Sequence, residues 1–163
     1  MSESELDETD RAILRLLAED ARHTTPVDIA RRLPVSDGTV RNRIERMEEA
    51  GVIREYLPVI DHESAGYPLT VVFTCDAPIA DRGSLAGDAL EADGVVSVRE
   101  FATGGGDVEV TAVAEGVADI TETARRLHEV GLEVRNERLL RQERRRPRGT
   151  LEGDRADPDE ERP

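Results

Sequence analysis

Residues 36–46 hold the side chains of this chain best suited to chemistry, and that chemistry is recognition, with no bond made or broken. Projected at 100° per residue, a helix over Ser36–Glu49 turns Val40, Ile44 and Met47 to one side, the i, i+4, i+7 set of a buried stripe. The opposite side then carries Gly38, Thr39, Arg41, Asn42, Glu45 and Arg46. Arginine pairs bidentately with guanine edges and asparagine with adenine edges in a major groove. Ser36 at the helix start, with Gly38 and Thr39 in the first turn, offers hydroxyls and free N–H groups to a phosphate. Arg31 and Arg32, just upstream, suit phosphate contacts, which orient a protein without reading sequence. Arg43 falls on the flank nearer the core, where a structural ion pair is expected. The candidate DNA-contacting set is Arg31, Arg32, Ser36, Gly38, Thr39, Arg41, Asn42 and Arg46, and the expected partner is double-stranded DNA.

A second constellation is Gly104, Gly105, Gly106 and Asp107. Three glycines bring bare backbone N–H and C=O groups to a surface, and the carboxylate after them can pair with a ligand ammonium. These four residues form the candidate effector site, and an α-amino acid is the ligand class that fits. The glycines lack a following lysine and open a strand, so they do not read as a phosphate loop. No catalytic residue and no metal ligand is expected. His23, His62 and His128 lie apart in a loop, a linker and the end of a helix, and no triad or metal spacing exists. Cys75, the single cysteine, excludes an internal disulfide and falls on the inward side of its strand as a small core residue. No cofactor is implied.

Three short helices must position the first constellation. Asp7 caps a helix ending near Asp20, striped by Ile13, Leu14, Leu16 and Leu17. Thr25, Pro26 and Asp28 form a start signal for a second helix running to Leu33 and stopped by Pro34. Only Pro34 and Val35 separate it from the third, which Gly51 closes; this is the layout of a helix-turn-helix. Val52–Ile60 reads as extended. Beyond it the period changes to that of strands: Leu69–Asp76 alternates, Ser84–Ala92 reads as a helix, and Val95–Ala102 and Val108–Ala114 make a hairpin around a Thr103–Gly106 turn. Val117, Ile120, Ala124 and Leu127 stripe another helix before a last strand, Leu132–Leu140. The order β-α-β-β-α-β is the ferredoxin-like split arrangement, with both helices on one face of the sheet. The other face needs a cover, so a homo-oligomer, dimer or higher, is expected. The fold class is α+β. The expected domains are a helix-turn-helix domain over 1–54, a linker strand and hinge over 55–67, a ferredoxin-like effector and oligomerisation domain over 68–146, and a disordered acidic tail over 147–163.

Charge sets a puzzle beside this reading. The chain of 163 residues carries net charge −14, with 22 basic residues, all arginine, against 36 acidic ones. A DNA-binding domain is usually basic. Between Arg11 and Arg54, however, nine arginines face seven acids, so that segment is locally positive. In molar salt the Debye length falls to about 3 Å, which screens the long-range repulsion between an acidic protein and DNA. An acidic, lysine-free, aromatic-poor composition resembles the proteins of salt-in halophiles. No apolar run approaches a membrane span and Met1–Asp10 lacks the features of a signal peptide, so a cytoplasmic protein with no membrane partner is expected.

Leu6-Asp7-Glu8-Thr9-Asp10, Ile13-Leu14 and Asp20-Ala21-Arg22 resemble the opening helix of the Lrp/AsnC (feast/famine) regulators. Ile29-Ala30, Val35-Ser36, Thr39-Val40, Arg43-Ile44 and Gly51-Val52-Ile53 match that family's DNA-binding unit, and the hairpin Thr103-Gly104…Asp107 matches its downstream domain. The resemblance spans roughly residues 6–142. It implies a transcription regulator, dimers that swap or pair the strand after Gly51, further assembly through the sheet domains, and small-molecule effectors, often amino acids, bound between subunits near the glycine hairpin. Two positions depart from the pattern: Pro34 replaces the usual turn glycine, and Gly106 stands where an aromatic residue commonly precedes the aspartate. Siroheme decarboxylases share this architecture but need histidine and other polar groups about the sheet-domain pocket to hold the tetrapyrrole carboxylates, and there the strand Val95–Ala102 offers only Arg99. The other competing reading is a small-molecule-sensing oligomerisation module without DNA specificity of its own; the helix-turn-helix outer face argues against it.

Overall fold

The computed structural model describes residues 6–102 and 107–144. The chain divides into two compact units, one containing the residues up to Pro58 and the other spanning Val59–Glu143.

The first unit holds α1 (Glu8–Asp20), α2 (Pro26–Ala30) and α3 (Asp37–Glu49). Each helix starts where a polar side chain satisfies an orphan N–H. Asp7 and Asp10 form a reciprocal capping box at α1, as do Thr25 and Asp28 at α2, and Ser36 Oγ accepts from the Thr39 N–H at 3.1 Å. Gly51, at φ +69°, turns the chain out of α3 in the left-handed region. Its N–H bonds the Glu48 carbonyl and that of Val52 bonds the Met47 carbonyl, the paired closure of a Schellman motif. Ile13, Leu17, Ile29, Val40 and Met47 form the buried core between the three helices.

Helix α2 is shorter than the sequence suggests, ending at Ala30 where the pattern runs to Leu33. The ring of Pro34 disfavours helical backbone at Leu33 and has no N–H for the Ala30 carbonyl. Residues 31–35 therefore unwind into turns, still tied by the Arg32 and Leu33 N–H groups to the Ile29 carbonyl.

The linker strand expected over 55–67 is absent as such. Residues 54–61 have no ladder partner, and 62–66 form a turn. A strand exists only where another supplies hydrogen bonds, and among the described residues no segment does so here. Tyr56, Leu57, Val59 and Ile60 are left exposed.

The second unit is a four-stranded antiparallel sheet in the order β2-β3-β1-β4, built from β1 (Leu69–Asp76), β2 (Val95–Glu100), β3 (Val108–Ala114) and β4 (Glu133–Leu139). Helices α4 (Arg82–Leu90) and α5 (Val117–Glu129) complete the β-α-β-β-α-β order. Val71, Phe73 and Cys75 of β1 and Val108, Val110 and Ala112 of β3 share one buried cluster with Ala89 of α4 and Leu127 of α5. Burial pushes the Cys75 thiol up to about 11, which keeps it a neutral core group. Strand periodicity places the alternate residues, Thr74, Glu109 and Thr111 among them, on the other face. There Glu109 of β3 pairs with Arg99 of β2 and, at 3.5 Å, with Arg138 of β4. Gly94, before β2, has φ +82°, and a Cβ there would meet the Val113 carbonyl oxygen at 2.8 Å. The close approach lets the Val113 N–H donate to the Gly94 carbonyl at 2.8 Å.

Helix α4 begins two residues earlier than its pattern suggests, at Arg82. That residue is drawn into the first turn by tertiary bonds, its guanidinium donating to the Phe101 carbonyl and pairing with Asp107, both at 2.8 Å.

Candidate nucleic-acid interface

Helix α3 presents the arrangement read from its sequence. Val40 and Met47 are buried beneath it, while Thr39, Arg41, Asn42, Glu45 and Arg46 are exposed and Gly38 is partly so. Arg41 and Asn42 make no side-chain bond among the described residues, so a base edge can take them without breaking anything. Ser36 and Thr39 are joined through their hydroxyls at 2.9 Å, which sets both oxygens at the mouth of the helix.

The remaining candidates are less free. Arg31 lies at the C-cap of α2 and bonds Asp28 at 3.1 Å, and Arg32 reaches Glu19 of α1 at 4.0 Å. Both pairs are exposed, and exposed ion pairs are worth about 0–1 kcal/mol, so a phosphate can compete for either arginine. Arg46 is turned partly away from the outer face: one nitrogen sits 2.6 Å from Asp10 of α1.

Arg43 forms the ion pair expected of its flank position. It donates to Asp7 at 2.6 Å and to Asp10 at 2.8 Å. The two carboxylates hold its guanidinium charged above its ordinary value, while the Asp10 N–H and then Arg43 draw Asp7 below the usual carboxylate range. Asp10 is 1 % exposed and tied to both arginines, so it is the centre that joins α1 to α3. Sequence reasoning gave Asp10 no role of its own. The available signal was the i, i+3 spacing of Arg43 and Arg46 on one flank, opposite a carboxylate at the third position of α1. At the end of α3, Tyr56 donates to Glu48 at 2.9 Å; burial and the neighbouring carboxylate push its phenol up to about 12.

Of the candidate effector residues, Gly104, Gly105 and Gly106 lie outside the described residues, as does the 147–163 tail. Asp107 is described, and its partner is Arg82. The Arg82 Nε is buried without an acceptor among the described residues. Arg82 is the group that sequence reading missed; nothing in the local pattern near α4 marks it.

A family model for winged helix-turn-helix DNA-binding matches residues 6–54. An uncharacterised HTH-type transcriptional regulator of Pyrococcus horikoshii is 47 % identical over 73 residues, 45 % of this chain. That match spans about half of the relative, 46 % of its length. The HTH-type transcriptional regulator LrpA of the same organism is 33 % identical over 120 residues, covering 71 % of this chain and 82 % of that protein. Among solved structures, MtbAldR superimposes with a TM-score of 0.72 at 27 % identity, over 86 % of this chain and 97 % of that one. A transcriptional regulator of Neisseria meningitidis, solved as a complex with L-Met, gives 0.70 at 23 % identity, over 86 % and 93 %. The helix-turn-helix, the four-stranded sheet with its two helices, and identity sustained across both units lead to one conclusion: the chain belongs to the Lrp/AsnC family of transcriptional regulators.

Proposed function

We propose that this protein is a sequence-specific DNA-binding transcription regulator that works as a homo-oligomer, is modulated by an amino acid and catalyses no reaction. The observation that carries the reading is the outer face of α3, where exposed Arg41 and Asn42, unpaired among the described residues, stand beside the capped helix start at Ser36. In this reading Arg41 and Asn42 read bases, Ser36, Gly38 and Thr39 meet a phosphate at the helix N-terminus, and Arg31 and Arg32 contact the flanking backbone. The division of labour follows the two units, with DNA contact in the first and assembly and sensing in the second, and the cytoplasm is where such a protein works. No helix among the described residues is long and apolar enough to cross a membrane. The test is a pair of affinities. Alanine at Arg41 or Asn42 is expected to cost about 1–3 kcal/mol on a selected site and much less on random duplex. Alanine at Arg31 or Arg32 is expected to weaken both duplexes alike. Equal losses for all four variants on both duplexes remove the assignment.

The effector reading rests on the Arg82–Asp107 pair, Asp107 directly following Gly106 in the sequence. Its opposite charges answer those of an amino-acid zwitterion, ammonium toward Asp107 and carboxylate toward Arg82, once the ligand replaces the ion pair that joins them at 2.8 Å. The fold neighbour solved with L-Met makes amino acids the first class to screen. An effector at a hundredfold excess over its Kd stabilises the folded protein by about 2.7 kcal/mol. In a thermal-shift screen at high salt, one amino acid is expected to raise the Tm of the wild type and leave that of Asp107→Ala unmoved. No shift in the wild type, or an equal shift in the variant, ends the effector role of this site.

A further inference from the structure

Asp10 lies in the first turn of α1, on the helix that packs behind the recognition helix α3. Its carboxylate is 1 % exposed and fully engaged. Oδ1 accepts from Arg43 at 2.8 Å, and Oδ2 accepts from Arg46 at 2.6 Å and from the Asp7 N–H at 3.3 Å. Arg43 is tied a second time, to Asp7, so the carboxylate cannot rotate to follow a moving partner. Arg46 differs from Arg43 in being half-exposed: its side chain retains 50 % of its accessible surface against 23 %. One nitrogen of its rigid planar fork is held by Asp10, and among the described residues no other bond engages the N–H groups of this half-exposed side chain.

We infer that Asp10 is a positioning residue for DNA binding: it holds the Arg46 guanidinium pre-aligned so that its free N–H groups meet a DNA phosphate. A phosphate is the acceptor because Arg46 lies in the C-terminal half of α3, whereas base edges are met by the N-terminal residues of a recognition helix. The gain is preorganisation, since the freedom of a long side chain is surrendered on folding and need not be lost again on binding. The inference rests on the DNA-binding reading above and adds to it a residue that touches no DNA. It also opposes a simpler expectation, that a carboxylate beside Arg46 competes with DNA and weakens binding.

The two expectations differ in sign, and a double-variant cycle separates them. The full-length protein is used to select a duplex from a random-sequence pool, and affinities for that duplex are measured across a salt series. Arg46→Ala is expected to weaken binding about tenfold and to lower the salt slope by about one. Asp10→Asn, of the same shape, is expected to weaken binding at least about threefold, and the double variant to bind no more weakly than Arg46→Ala alone. Circular dichroism verifies that each variant is folded at the temperature of the assay. If Asp10→Asn does not fold, Arg46→Lys decides: it keeps the charge without the planar fork, and its affinity is expected to fall toward that of Arg46→Ala. Asp10→Asn binding as tightly as wild type or more so, additive losses in the double variant, or full affinity in Arg46→Lys each overturn the proposal. A pool that yields no enriched sequence overturns the DNA-reading assignment itself, and the proposal with it.

Discussion

Phe73→Ala is expected to destabilise the sheet unit by about 3–5 kcal/mol while leaving the three-helix unit folded. Phe73 sits on β1, one of the two inner strands, and is fully buried at 0 % exposure. It belongs to the cluster in which β1 and β3 meet Ala89 of α4 and Leu127 of α5. Phe73 is the bulkiest of the fully buried side chains, and its neighbours there are largely alanine and valine. Such neighbours cannot stretch to refill the space, so the cavity term adds to the lost burial. Because the chain forms two compact units with separate cores, urea unfolding of the variant followed by circular dichroism is expected to show a first transition in the sheet unit at much lower denaturant. A loss under about 1 kcal/mol, or a single transition in which the helices melt together with the sheet, contradicts this. If assembly runs through the sheet, specific DNA affinity falls as well, with α3 untouched.

Ile29→Ala is the counterpart in the first unit, with an expected cost of about 2–5 kcal/mol and the loss of specific DNA binding as the unit melts. Helix α2 has five residues, far too few to persist by its own hydrogen bonds. The Thr25–Asp28 capping box holds its start, and Ile29, at 0 % exposure, is the one side chain it buries in the core. Without that anchor only the partly buried Ala30 of α2 still packs on the core, and the geometry of the helix-turn-helix is lost. Val27, on the same helix and exposed, supplies the control: Val27→Ala is expected to change stability by no more than about 0.5 kcal/mol. Thermal unfolding of both variants, with DNA affinity measured on each, checks the contrast. Equal effects at the two positions are incompatible with the burial described.

Sequence alone determined the local features of this protein. The caps at Asp7, Thr25 and Ser36, the left-handed exit at Gly51, the β-α-β-β-α-β order and the inward triplet Val40, Ile44 and Met47 all follow from residue type and spacing, because capping, glycine backbone freedom and amphipathic period act over a few residues. The exposure of Arg41 and Asn42 follows from the same period. Tertiary structure decided what depends on partners distant in the chain. Pairing of Arg43 and Arg46 with Asp10 spans more than thirty residues, and that of Arg82 with Asp107 bridges α4 and the start of β3. A one-dimensional pattern can show that Arg43 needs a counter-charge, but only packing shows which carboxylate is close enough to be it. The linker makes the point in reverse: Tyr56, Leu57, Val59 and Ile60 have the apolar character of a strand, yet a strand is defined by its neighbour, and among the described residues that neighbour is absent.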